Sequence, residues 1–83
     1  MYRLKLTARA KRELKNIKKI HQEAIGAIFE EIKESPFVGK PLSKELFGKY
    51  SYRVGIYRII YKVNPRDKIV IIITAGHRSI IYK

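Results

Sequence analysis

An α+β domain, with two helices on one face of a largely antiparallel sheet, is predicted by three observations along the 83 residues. A short stretch near the start alternates apolar and charged side chains, as a half-covered strand does. Two stretches with apolar residues at helical spacing follow it. From Tyr50 onward, aromatic and β-branched residues dominate, which suits strands. The order is therefore strand, helix, helix, then three or four strands. With no repeat, low-complexity stretch or dividing linker, the whole chain 1–83 is expected to be one domain.

Tyr2, Leu4 and Leu6 alternate with Arg3 and Lys5, the pattern of a strand with one covered face. Thr7 is placed to cap a helix beginning at Ala8, because its hydroxyl can accept an orphan N–H of the first turn. At about 100° per residue, Ala10, Leu14 and Ile17 gather on one side of that helix. Lys11, Arg12, Lys15, Lys18 and Lys19 gather on the adjoining side, a row of cations suited to RNA. A second helix is read over about residues 22–34, since Ile25, Ile28, Phe29 and Ile32 keep the i, i+3, i+4, i+7 spacing. Ser35-Pro36 ends it, because a residue before proline is pushed out of the α region.

Residues 36–49 contain Pro36, Gly39, Pro41 and Gly48 and read as a loop, pinned to the core by Leu42 and Leu46. Strands are expected at 50–54, 56–63 and 68–75, with a bend or bulge at Gly55 and a turn at Asn64-Pro65-Arg66-Asp67. Ile69 to Ile73 is apolar at every position, so this strand is expected to be central and covered on both faces. Fourteen isoleucines supply the core of a domain too small to waste apolar surface.

Nineteen Lys and Arg stand against seven Asp and Glu, a formal charge of +12. A field of that size attracts polyanions, so the candidate partners are nucleic acid, an anionic membrane or an acidic protein. A membrane partner is not expected. No apolar run approaches the ~20 residues of a spanning helix, and the N-terminus lacks a basic head followed by an apolar signal core. A cytoplasmic location is the simplest expectation. There is no cysteine, which excludes disulfides and thiolate metal ligands. No carboxylate cluster suggests a bound metal, and no cofactor is expected. Residues 22–34 carry four glutamates and one lysine, a net −3, which leaves +15 on the remainder. The domain is therefore electrically polarised.

Charge and aromatic groups concentrate in two late segments: Tyr-Arg-Val-Gly-Ile-Tyr-Arg-Ile-Ile-Tyr at 52–61 and Gly-His-Arg-Ser-Ile-Ile-Tyr at 76–82. They place Arg53, Arg58, Arg78 and Tyr82 at or just beyond strand ends. On one straight strand, Arg53 and Arg58 would point to opposite faces. A bulge or tight turn at Gly55 changes that parity and lets both serve one surface.

These two segments, their order and the chain length resemble the RelE toxins of the RelE/ParE superfamily, and the resemblance spans essentially all 83 residues. It implies a RelE-like fold and the toxin of a type II toxin-antitoxin pair, a metal-independent endoribonuclease that cuts messenger RNA in the ribosomal decoding site and stops translation. It implies partners as well: the ribosome with its message, and a cognate antitoxin presenting an acidic or amphipathic helical segment. By position, Arg58 matches the family's strand arginine, Arg78 its second arginine and Tyr82 its C-terminal catalytic tyrosine. Arg53 matches one of two basic residues on the preceding strand. The other position is Ser51, so one expected cation of the RNA site is missing.

The chemistry suits these residue types. Attack of a ribose 2′-hydroxyl on the adjacent phosphorus needs a group to take the proton, cations on the phosphorane and a proton for the leaving oxygen. Guanidinium groups grip phosphate oxygens two at a time. Nearby cations favour the phenolate of Tyr82, which makes it a candidate base, and His77 titrates near neutrality. Which of the two is base and which acid is open. Tyr57 and Tyr61, alternating with Arg58, are expected to pack against the helices, and His21 to cap a helix or face solvent. Glu13 and Asp67 are expected in surface pairs. Two other functions share these features: a ParE-type poison of DNA gyrase, and an RNA- or ribosome-binding module without catalysis.

Overall fold

The computed structural model describes residues 1–43 and 48–77. Its elements are β1 (Arg3–Leu6), α1 (Ala8–Lys15), α2 (Lys19–Glu34), β2 (Lys40–Pro41), β3 (Lys49–Val54), β4 (Tyr57–Asn64) and β5 (Ile69–His77). The strands form one five-stranded sheet in the order β1-β5-β4-β3-β2. β1 runs parallel to β5, and every other pairing is antiparallel. This is the expected α+β arrangement, with four strands after the helices. No helix among the described residues is long and apolar enough to cross a membrane.

Thr7 joins the first strand to the first helix and to the sheet at once. Its Oγ1 accepts from Ala10 N–H (3.1 Å) and donates to the Ile73 carbonyl (2.8 Å), while its own N–H reaches the Ile72 carbonyl (3.1 Å). α1 stops at Lys15, shorter than the expected helix. Asn16 caps it, its N–H donating to the Glu13 carbonyl (3.1 Å) while the Ile17 N–H donates to that of Leu14 (3.2 Å). The Gln22 side chain then donates to the Leu14 and Ile17 carbonyls (2.7 and 2.9 Å), satisfying groups that the ended helix leaves open. Ile17 turns into the core, and α2 starts three residues earlier than its apolar spacing indicates.

The core lies between the helices and one face of the sheet: Ala10, Ile17, Ile25 and Ile32 from the helices meet Ile59, Tyr61, Val70, Ile72 and Ala75. Each fully buried isoleucine contributes roughly 1.5–3 kcal/mol over leaving it exposed. β5 is paired on both edges but is not the middle strand, a place β4 takes. Nor are both of its faces covered. Val70 and Ile72 are buried, whereas the alternating Ile69, Ile71 and Ile73 are only partly so, because the helices occupy one side alone.

Opposite Ile60 and Tyr61 the register slips, leaving Ile73 as the extra residue of a bulge. β1 ends beside Ile72, and α1 takes over the β5 edge beyond it. Glu13 Oε1 accepts from the Thr74 hydroxyl (2.5 Å) and from Ala75 N–H (3.2 Å), while Oε2 accepts from Arg9 Nε (3.3 Å). Glu13 thus does more than the expected surface pairing, because it completes a sheet edge. Asp67 does pair locally, its carboxylate and N–H both bonding Asn64 in the β4–β5 turn.

The expected loop over 36–49 contains a strand. Lys40 and Pro41 pair with Ser51 and Tyr50, with proline allowed because β2 is the sheet edge. Just before it, Gly39 N–H donates to the buried Tyr61 hydroxyl (2.9 Å). A Cβ on Gly39 would stand 2.5 Å from that oxygen and 3.0 Å from the Ser51 carbonyl, so only glycine fits. Leu46, expected to pin this loop, lies outside the described residues. Gly26 is the contrast, since a Cβ there meets nothing within 4 Å inside α2. Gly26→Ala is expected to stabilise the protein by roughly 0.5–1 kcal/mol through helix propensity, and Gly39→Ala to destabilise it by about 1–3 kcal/mol through overpacking. Urea unfolding of the two variants reads both signs.

Candidate functional site

β3 and β4 are joined by Gly55 and Ile56 alone, with Val54 paired to Tyr57. Gly55 has φ +59° and Ile56 no positive φ, the pattern of a type II′ turn with glycine first. The tight turn, rather than a bulge, therefore sets the parity, and Arg53 stands directly opposite Arg58. Tyr50, Tyr52, Val54, Tyr57, Tyr61 and Val63 pack on the helix side. Their alternating neighbours Ser51, Arg53 and Arg58 are thereby on the opposite, helix-free face.

On that face Lys40, Leu42, Ser51, Arg53 and Arg58 line a cleft of about 300 Å³. Arg53 is exposed, Arg58 half-buried with its Nε shielded from solvent, and Ser51 buried. Three cations and no carboxylate therefore line the cleft among the described residues. A second like-charged pair, Lys49 opposite Lys62, lies on the same face of the same hairpin. Like charges directly across a strand pair disfavour folding. A polyanion relieves that repulsion, and guanidinium groups suit phosphate oxygens in particular.

Arg53, Arg58 and Ser51 are thus brought together. Gly76 lies opposite Arg58 and the His77 backbone opposite Tyr57, so β5 carries the chain to this end of the sheet. The His77 side chain, Arg78 and Tyr82 lie outside the described residues. Lys11, Arg12, Lys15, Lys18 and Lys19 are all exposed, but they do not line the cleft. Nor do they form one helical row. Lys11, Arg12 and Lys15 belong to α1, Lys18 precedes α2 and Lys19 begins it. Among the described residues no three His, Asp or Glu side chains gather as a metal site.

Lys40 was not legible in the sequence. A two-residue strand shows no alternation, and only Pro41, tolerated at a sheet edge, was a signal. Behind the cleft, tyrosines tie its strands to the helix layer. Tyr50 stacks on Tyr61 (5.6 Å between centroids) and meets Phe37 edge-on, and the Tyr52 hydroxyl donates to Glu31 (2.7 Å). His21 packs against Tyr57 (5.1 Å) rather than capping α2. The hydrogen bond to Glu31, then burial and the carboxylate's charge, push the Tyr52 pKa up. Burial foremost pushes up that of Tyr61, against the opposing effect of the Gly39 N–H. Both are held as phenols.

Residues 4–82 match the family described as the ParE toxin of the type II toxin-antitoxin system parDE. The chain is 33% identical to toxin RelG of Mycobacterium tuberculosis over 99% of its length and 97% of the relative's. It is also 33% identical to toxin RelE of the same organism, over 99% and 87%. Its fold superposes with a TM-score of 0.85 on the crystal structure of the toxin-antitoxin complex RelBE2 of M. tuberculosis, at 33% identity, covering 93% of this chain and 98% of that one.

Two outcomes are expected from the site's electrostatics. Arg53→Gln relieves the facing pair and should raise stability in urea by about 0.2–1 kcal/mol, whereas a loss would show that Arg53 is held by a structural partner. For the phenols, a folded-state pKa above the unfolded value of ~10 means that the unfolded chain ionises first. Stability contributed by Tyr52 is thus present below pH ~10 and lost above it. Tyr52→Phe should show a shallower alkaline decline than the parent protein, with the lysine contributions common to both.

Proposed function

Because this chain belongs to the RelE/ParE superfamily of type II toxin-antitoxin toxins, we propose that it is a ribosome-dependent endoribonuclease whose cleft grips a phosphodiester of messenger RNA. The observation that carries this reading is that Arg53 and Arg58 face each other on adjacent strands in a cleft whose charged lining, among the described residues, is all cationic. Arranged at a sheet surface, two guanidinium groups can hold the non-bridging oxygens of one phosphate and stabilise the extra charge of a phosphorane.

The 2′-hydroxyl attacks phosphorus as its proton passes to a base. The P–O5′ bond breaks, and the 5′-oxygen takes a proton from an acid. The products are a 2′,3′-cyclic phosphate and a 5′-hydroxyl, with no net loss or gain of water. Arg53 and Arg58 bind and stabilise, because the planar fork of a guanidinium matches phosphate oxygens. Base and acid fall to Tyr82 and His77, with Arg78 as a further phosphate ligand, and Gly76 opposite Arg58 supports delivery of that segment to the cleft. Tyr52 and Tyr61 are unsuited to act as base, being pushed toward the phenol. With so weak an acid-base pair, catalysis relies on the ribosome to hold the message in reactive geometry.

A cognate antitoxin follows from the same reading. The M. tuberculosis relative of known structure is a toxin-antitoxin complex, and a chain of +12 suits an acidic or amphipathic helical segment that folds on binding. A second reading, poisoning of DNA gyrase, is favoured by the ParE description of the matched family. One experiment separates the two. Added to a translating extract, the protein should create new 5′ ends within codons, and Arg58→Ala, Arg78→Ala or Tyr82→Phe should lower that cutting by about 100-fold or more. Intact messages with gyrase-dependent DNA breaks would overturn the ribonuclease reading.

A further inference from the structure

The cleft has a cation that no motif identified. Lys40 of β2 is the cross-strand neighbour of Ser51, so the two Cβ atoms lie roughly 4.5–5.5 Å apart on the same face. Ser51 is small and buried, and Arg53 follows two positions along the strand, opposite Arg58. Lys40, Ser51, Arg53 and Arg58 line one cleft. From the structure we infer that Lys40 is a third phosphate ligand of this site, placing its ammonium over Ser51 beside the two guanidinium groups. The inference rests on the phosphodiester-cleavage reading, and it assigns a residue that the two motif segments do not contain.

The placement is rigid at the backbone although Lys40 itself is exposed. Gly39, immediately before it, is buried and donates to the Tyr61 hydroxyl, with no room for a Cβ between that oxygen and the Ser51 carbonyl. Immediately after it, Pro41 pairs with Tyr50, and Leu42 N–H donates to the Lys49 carbonyl (2.9 Å). The Cα of Lys40 is thus fixed on both sides, while the four-carbon stem lets the ammonium follow a phosphate. An ammonium is a compact point charge, suited to a single non-bridging oxygen where the arginines take bidentate contacts. Ser51 completes the arrangement by leaving open the space that a longer side chain would fill. The charge otherwise missing at Ser51 arrives from the neighbouring strand.

The test uses Lys40→Met, which keeps the stem and removes the charge, Lys40→Arg, and the double variant Lys40→Met with Ser51→Lys. Each is checked by urea unfolding so that a folding defect is recognised. Two readouts are taken: the cutting rate in a translating extract, and the salt dependence of binding to a 2′-O-methyl oligoribonucleotide, which presents phosphates but cannot be cleaved. Lys40→Met is expected to cut about 10- to 100-fold more slowly, the usual range for a charged hydrogen bond. Its slope of log K against log salt should fall by about 0.7. Lys40→Arg should stay within a few-fold of the parent, as should the double variant, which returns the charge from the adjacent strand.

If the parent cuts and folded Lys40→Met cuts as fast with an unchanged slope, the assignment is overturned and the ribonuclease reading stands. A lowered slope with parent-like cutting overturns the placement at the scissile phosphate. Where the parent does not cut at all, the ribonuclease reading falls, and the salt slope alone decides whether Lys40 grips phosphate.

Discussion

Gly55 closes the β3–β4 hairpin in two residues, and the register that follows sets much of what this molecule can do. With φ at +59° it adopts a conformation that disfavours side chains. The strands return without an offset, and each side chain is assigned to a face. One face receives Tyr52, Val54, Tyr57, Ile59 and Tyr61 and becomes core or its margin. The other receives Ser51, Arg53 and Arg58 and becomes the cleft. A one-residue slip would exchange these sets, burying guanidinium groups against the isoleucines of the helices. The hydrophobic core and the cationic site are therefore alternatives on one hairpin, and the stability of the first enforces the geometry of the second.

Much of this arrangement was legible in the residues because their periodicities are strong. Tyr2 to Leu6 alternates cleanly, and Ile25 to Ile32 repeats at helical spacing. Thr7 stands where a cap is needed, so β1, the start of α1 and most of α2 followed directly. The end of α1 was not legible. Lys18 and Lys19 continue the angular pattern of Lys11 and Lys15, and nothing local announces that Asn16 breaks the helix. At that break the Gln22 side chain, eight residues along, donates to the Leu14 carbonyl. Long-range satisfaction of backbone groups leaves no trace in a short window of sequence.

The same distinction runs through the site. Arg53 and Arg58 were visible as charges in a strand-forming segment, and Gly55 as the residue able to change their parity. Whether it would form a bulge or a turn depended on Val54 pairing with Tyr57. Lys40 carried no period, because its strand is two residues long and its partner stands eleven positions away. Glu13 looked like one more surface carboxylate of a basic helix. Its role comes from β1 ending at Ile72, which leaves the Thr74 hydroxyl and the Ala75 N–H to be met from α1. Both residues take their meaning from where another strand stops or starts.

That assembly has an energetic consequence for a toxin of this superfamily. Arg53 facing Arg58 and Lys49 facing Lys62 put two unfavourable pairs on one hairpin, on a chain already carrying +12. The core beneath must overcome this repulsion. It does so with fully buried Ile59, Tyr61, Val70 and Ile72, and with tyrosine contacts that tie the cationic strands to the helix layer. A partner that neutralises the exposed face then binds a surface already held in place by those contacts. Its charge stabilises the fold as well as the complex, since whatever binds only the folded state shifts the folding equilibrium toward it. Any anionic partner that recognises the folded cleft rather than the chain's charge alone meets that condition.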